Sequence, residues 1–130
     1  MDKYGVAAVR AVHIFTSGLA KSPRNAWLKA TTEIFSEGTS SQKKGCPQST
    51  FLGLCEEGLV SGIPFGQYTK AVENKKYALD AVSILKKYPE LASDLHSLWN
   101  VVMRGKRKVY NSQMDVVVAL WNENLLVLNE

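Results

Sequence analysis

Two cysteines, two histidines and one tight group of cations are the residues best suited to chemistry in this chain. Cys46 follows Lys43 and Lys44 and precedes Pro47, where a helix is expected to open. At a helix start, backbone N–H groups lack partners and the helix dipole is positive. Both effects, with the neighbouring lysines, favour a thiolate, the form in which cysteine is a nucleophile. A catalytic cysteine also needs a base, and only His13 and His96 are available. No spacing in the sequence brings either one to Cys46. A thiol-dependent enzyme or redox sensor built on Cys46 is therefore one reading, and a small residue at a helix start is the plainer one. Cys55 shares an apolar face with Phe51 and Leu54, where a free cysteine behaves as a small hydrophobe. The two cysteines lack the short chelating spacing of structural zinc sites, so no metal and no cofactor are expected.

Arg104, Lys106, Arg107 and Lys108 form the second feature. The chain of 130 residues has 16 Lys plus Arg against 12 Asp plus Glu, a net charge of +4. Without this cluster the remaining basic and acidic residues balance. A histone-like basic coat is thereby excluded. Such a cluster can pair with phosphates, and Tyr110 just after it can stack on a base. A solvated loop between two helices is the common alternative. His13 shares a polar stripe with Arg10 and Ser17 and reads as a surface residue. His96 borders an apolar face near Trp99 and reads as half-buried and hydrogen-bonded. Glu56 and Glu57 are adjacent, so they do not share a helix face as an acid–base pair would. No phosphate-cradling glycine loop, nucleophile elbow or HExxH motif is present.

These residues need elements to position them, and the periodicity is helical almost throughout. Ala8, Val12, Phe15 and Leu19 form the stripe of a first helix that Gly18 helps to end. Ser22 and Pro23 mark the start of a second, with Trp27, Ala30, Ile34 and Phe35 on its buried face. Glu37 to Gly45 is an exposed loop. Cys46 and Pro47 open a third helix as N-cap and first residue, and Gly58 suits a left-handed end with Leu59 and Val60 folding back. Ser61 to Gln67 reads as a structured, non-helical connection. A fourth helix is expected from Lys70 to Lys87, with Ala78, Ala81, Val82, Leu85 and Tyr88 lining its face. Pro89 restarts the chain, and Leu91, Leu95, Leu98, Trp99 and Val102 share one stripe up to the break at Gly105. The last helix begins near Asn111 and Ser112, with Ser112 and Asp115 at capping-box spacing. Strands at Val101–Val102 and Val116–Val118 are disfavoured by their helical surroundings. Leu54 to Val60 and Leu120 to Leu126 echo one another, most simply as one capping solution used twice.

Trp27 to Pro64 can also be read as a helix–turn–helix unit. Gln48, Ser49 and Thr50 would then meet base edges or phosphates. The loop from Glu37 to Gly45 is long for that motif, and no wing strands follow.

Lys44-Gly45-Cys46-Pro47, the run from Phe51 to Val60, and Gly62-Ile63-Pro64 together resemble the signature of a family of small bacterial proteins of unknown function. Asn111 to Asp115 resembles a second motif of that family. The similarity spans roughly residues 26 to 126. It implies a bacterial, cytosolic, single-domain protein and assigns no activity to any residue.

The expected fold is an all-α, compact single-domain bundle of five or six helices over residues 1–130, with a helix–turn–helix-like unit as an option within it. No apolar run approaches the ~20 residues of a membrane span. The start of the chain is a poor signal peptide, and two free thiols fit a reducing compartment, so the cytoplasm is the expected address. The favoured function is a non-catalytic binding module for nucleic acid or a protein partner. Its candidate contacts are Lys43, Lys44, Gln48, Ser49, Arg104, Lys106, Arg107, Lys108 and Tyr110. The Cys46 chemistry and a subunit role in a larger assembly stand as alternatives.

Overall fold

The computed structural model describes residues 2–128. Six α-helices follow in order: α1 (Lys3–Thr16), α2 (Pro23–Phe35), α3 (Gly45–Glu56), α4 (Glu73–Lys87), α5 (Leu95–Met103) and α6 (Gln113–Asn122). A 3-10 turn, Pro89–Ser93, lies between α4 and α5. Among the described residues there is no strand, and one isolated antiparallel bridge joins Val60 to Leu126. Both valine clusters are helical, because Val102 and Val116 to Val118 fill core positions that outweigh a weak local preference, while Val101 faces solvent.

The starts of α1, α2 and α5 are capped by side chains. Asp2 accepts from the Tyr4 N–H, Ser22 from that of Asn25, and Asp94 from that of Ser97. Other boundaries differ from expectation. Lys44, not Cys46, is the N-cap of α3, so Cys46 and Pro47 are its second and third residues. Helix α4 starts at Glu73 rather than Lys70, and the Tyr68 and Thr69 N–H groups of the segment before it bind the Glu56 carboxylate. Leu91 sits in the 3-10 turn rather than in α5. Leu19 and Tyr88 lie beyond the ends of their helices and are exposed. Ser112 adopts φ 68° and makes no capping bond. The Tyr110 hydroxyl takes its place, accepting from the Asp115 N–H at 3.0 Å and donating to Asp115 Oδ2 at 2.5 Å.

The echo between the ends of α3 and α6 has a structural counterpart. Gly58 (φ 70°) and Asn124 (φ 59°) are both left-handed. Leu59 N–H returns to the Leu54 carbonyl at 3.1 Å, and Leu125 N–H to that of Leu120 at 2.9 Å, the same helix-ending motif twice. The exits then exchange bonds. Ser61 N–H donates to the Leu125 carbonyl at 2.8 Å and Val127 N–H to that of Leu59 at 2.7 Å. The correspondence reaches further back. Ala8, Ala11, Val12 and Ile14 of α1 match Ala78, Ala81, Val82 and Ile84 of α4. Trp27 follows its N-cap Ser22 as Trp99 follows Asp94. The chain is thus two three-helix halves in sequence, α1–α3 and α4–α6. The first helix of each packs on the third helix of the other, α1 on α6 and α4 on α3.

Helices α3 and α6 occupy the centre. Every residue from Thr50 to Glu56 is buried, as is every residue from Val116 to Leu120. This corrects the helix–turn–helix option: α3 has no free face from Thr50 onward to lay in a groove, and Thr50 is fully buried.

Candidate functional site

The basic segment turns away from the end of α5. Arg104 (φ 52°) and Gly105 (φ 85°) are consecutive left-handed residues, and Lys106 N–H closes the turn on the Met103 carbonyl at 3.0 Å. The left-handed conformation is costly for a side-chain-bearing residue such as Arg104. This reversal sends the cations into solvent while Trp99 and Met103 stay in the core. Arg104, Lys106 and Arg107 are exposed and form no ion pair among the described residues. Lys108 is different. Its ammonium lies 3.0 Å from Glu73 Oε1 and 5.8 Å from the Tyr77 ring centroid. The bond to Lys108 holds the Glu73 carboxyl below the usual carboxylate range. Between the turn and α5 runs a groove of about 380 Å³, with Trp99, Asn100 and Met103 on one side and Lys106, Arg107 and Val109 on the other.

Tyr110 joins this corner to the core. Its ring meets that of Trp99 edge-on at 5.2 Å, and Trp99 meets Tyr77 in the same manner at 5.6 Å. Burial and the Asp115 carboxylate push the Tyr110 hydroxyl up. Tyr110 therefore anchors the loop as well as lining its surface. Next to it, Asn111 Nδ2 approaches Cys46 Sγ at 3.9 Å. Fully buried Gln113 holds Asn111 in place, accepting from its N–H at 2.7 Å and donating to Asn74 Oδ1 at 3.3 Å. Cys46 and the basic segment thus meet at the starts of α3, α4 and α6. The half-buried Cys46 is also close enough to Lys108 to interact with it electrostatically.

The remaining candidates are dispersed. Lys43 is exposed in the α2–α3 loop, and Lys44 sits 5.3 Å from the Tyr4 ring centroid. Gln48 and Ser49 are half-buried in the first turns of α3. His96 is exposed rather than half-buried and lines a small cavity of about 160 Å³ with Leu95, Trp99 and Tyr110. His13 is exposed on α1. Neither histidine bonds to Cys46 among the described residues. Among those residues, no group of three or more His, Cys, Asp or Glu could hold a metal ion. Cys55 is fully buried, and burial pushes its thiol up, away from reactivity. No helix among the described residues is long and apolar enough to cross a membrane.

Sequence reasoning missed Glu56. Its Oε1 accepts from the Tyr68 and Thr69 N–H groups at 2.8 and 2.9 Å, and its Oε2 lies 2.7 Å from Lys75 Nζ. Lys75 also reaches Glu57 at 2.8 Å. These donors, the Lys75 ammonium foremost, hold the Glu56 carboxyl down at about 2. The one available signal was the Gly- and Pro-containing connection after it, whose backbone donors need a partner.

No curated protein and no solved structure matches this chain. A family model matches it over residues 1–127, and the chain belongs to that family, described as a family of unknown function (DUF6979).

Proposed function

We propose that the protein is a non-catalytic binding module that contacts nucleic acid through the corner between α5 and α6. One observation carries this reading: Arg104, Lys106 and Arg107 hold three charges that enter no ion pair among the described residues, beside a groove with Trp99 and Met103 on its wall. Such cations release counterions when they meet phosphates. The fold does not require them. The equivalent α2–α3 loop makes the same connection with Glu37, Lys43 and Lys44 as its only charges. A bacterial cytosolic setting fits the signature resemblance and the two free thiols. The thiol reading has less support, since Cys46 has Asn111 and Lys108 as neighbours but no base. An acidic protein surface is the competing partner for the same cations.

Fluorescence anisotropy with random single-stranded and duplex oligonucleotides tests the proposal. Affinity is expected to fall with salt, with a log–log slope of about −2 to −3 for three phosphate contacts. The Lys106→Ala/Arg107→Ala variant should reduce that slope by about 2. Salt-independent binding, or a variant that binds like the parent, would overturn the assignment.

A further inference from the structure

A larger cleft lies away from the basic corner, between the start of α2, the end of α3 and the connection over residues 61–72. Its volume is about 730 Å³, within the range of small-molecule sites. We propose that it binds a small organic anion, with a phosphate or carboxylate head on Arg24 and Lys70 and a flat apolar body against Phe65.

The charges give the sign of the ligand. Lys75 faces two carboxylates, Glu56 at 2.7 Å and Glu57 at 2.8 Å, so its charge is met within the protein. Glu56 is further satisfied by two backbone N–H groups. Arg24 uses one donor, Nη2, on the Tyr68 carbonyl at 3.0 Å and has no carboxylate partner among the described residues. Lys70 is exposed and has no hydrogen bond or ion pair among them. Arg24, Lys70 and Lys75 against Glu56 and Glu57 leave the cleft lining with one positive charge in surplus, carried on the Arg24 and Lys70 side, and a guanidinium with an ammonium suits phosphate or carboxylate.

The wall is held in place before any ligand arrives. Besides the two bonds to Glu56 Oε1, Gly66 N–H donates to the Glu56 carbonyl at 3.2 Å, and the Tyr68 hydroxyl to the Pro64 carbonyl at 2.7 Å. Gly62 (φ 80°) sits so close to Thr16 that a Cβ there would come within 2.5 Å of Thr16 Cγ2. This well-bonded segment nevertheless presents Phe65 with 74% of its surface exposed, beside Gln67, whose side chain has no bonded partner among the described residues. An aromatic ring on a braced loop is a ready contact surface whose ordering cost is already met. In the second half His96 stands where Arg24 does, and the matching helix start forms without a guanidinium.

Backbone amide shifts of the nitrogen-15-labelled protein, titrated separately with phenyl phosphate, benzoate and inorganic phosphate, test this site. Phenyl phosphate should give saturable shifts over residues 65–70, with a dissociation constant on the order of 1 mM, as befits a fragment-sized probe. Saturation by benzoate at the same amides would extend the site to carboxylates, and its absence would restrict the site to phosphates. Lys70→Gln, which breaks no hydrogen bond or ion pair among the described residues, should weaken phenyl phosphate at least about fivefold, as one lost charge-assisted bond predicts. Phe65→Ala should weaken phenyl phosphate while leaving inorganic phosphate unchanged. Lys106→Ala/Arg107→Ala should change neither, which separates this site from the nucleic-acid corner. Absence of saturation by phenyl phosphate up to tens of millimolar, shifts confined to residues 104–109, or a Lys70→Gln variant with parental affinity would overturn the proposal.

Discussion

Glu56 illustrates how one side chain can fix the path of a dozen residues. Its carboxylate gathers the Tyr68 and Thr69 N–H groups and Lys75, which ties the connection after α3 to the start of α4. Free glutamate ionises near ~4.3, whereas Glu56 does so at about 2 in the folded protein. A depressed folded-state value means that its stabilisation is fully present above ~4.3 and is lost as pH falls toward 2. Glu56→Gln is therefore expected to cost on the order of 2 kcal/mol at pH 7, the worth of charge-assisted bonds to a buried group. The gap between parent and variant should close on acidification through that window, measured as urea midpoints at pH 7, 4 and 2.5. A gap independent of pH would show that the carboxylate charge is not what holds the connection. Nothing in an adjacent Glu-Glu pair announces this role, because the partners lie 12 to 19 positions further along the chain. The basic cluster, by contrast, was legible because contiguous charges need no fold to become neighbours. The meeting of Cys46 with Asn111 was not, since it depends on α3 and α6 starting side by side.

The helices themselves follow from apolar spacing, and six of them are present where periodicity predicts them. Their ends follow from tertiary partners. The segment before α4 is held by Glu56 through Tyr68 and Thr69, and Tyr110 supplies the cap that Ser112 does not. Close packing is equally hidden from pattern reading. At Gly53 in α3, a Cβ would lie 2.8 Å from Lys75 Cβ and 2.9 Å from its Cα. Gly53→Ala gains up to about 1 kcal/mol in helix propensity. Overpacking costs about 1–3 kcal/mol, and here the obstacle includes backbone that Glu56 and Glu57 hold in place through Lys75. The expected net effect is a loss of about 1 kcal/mol in chemical denaturation, and a gain would show that α3 and α4 separate freely. Ala119, at the matching place in α6, shows that the other half of the molecule accommodates the methyl group.

At the scale of the whole molecule, only a seven-residue fragment of the repeat was evident from sequence. The rest lies in small and branched residues on α1 and α4 and in the matched pair Trp27 and Trp99, matches too sparse to stand out until the helices are taken in order. Because α1 packs on α6 and α4 on α3, each half presents an apolar face that only the other covers. Peptides covering residues 1–66 and 67–130 should each give little helical signal in circular dichroism and recover it when mixed. Strong helicity in either peptide alone would contradict this dependence. The paired exits at Val60 and Leu126 carry a further consequence. Nothing in those contacts requires both halves to come from one polypeptide. Only the reach of the braced connection over residues 61–72 makes the intramolecular pairing the closer choice. Loosening that brace or shortening its span should let two chains trade halves, yielding an intertwined dimer from the same interfaces that close the monomer.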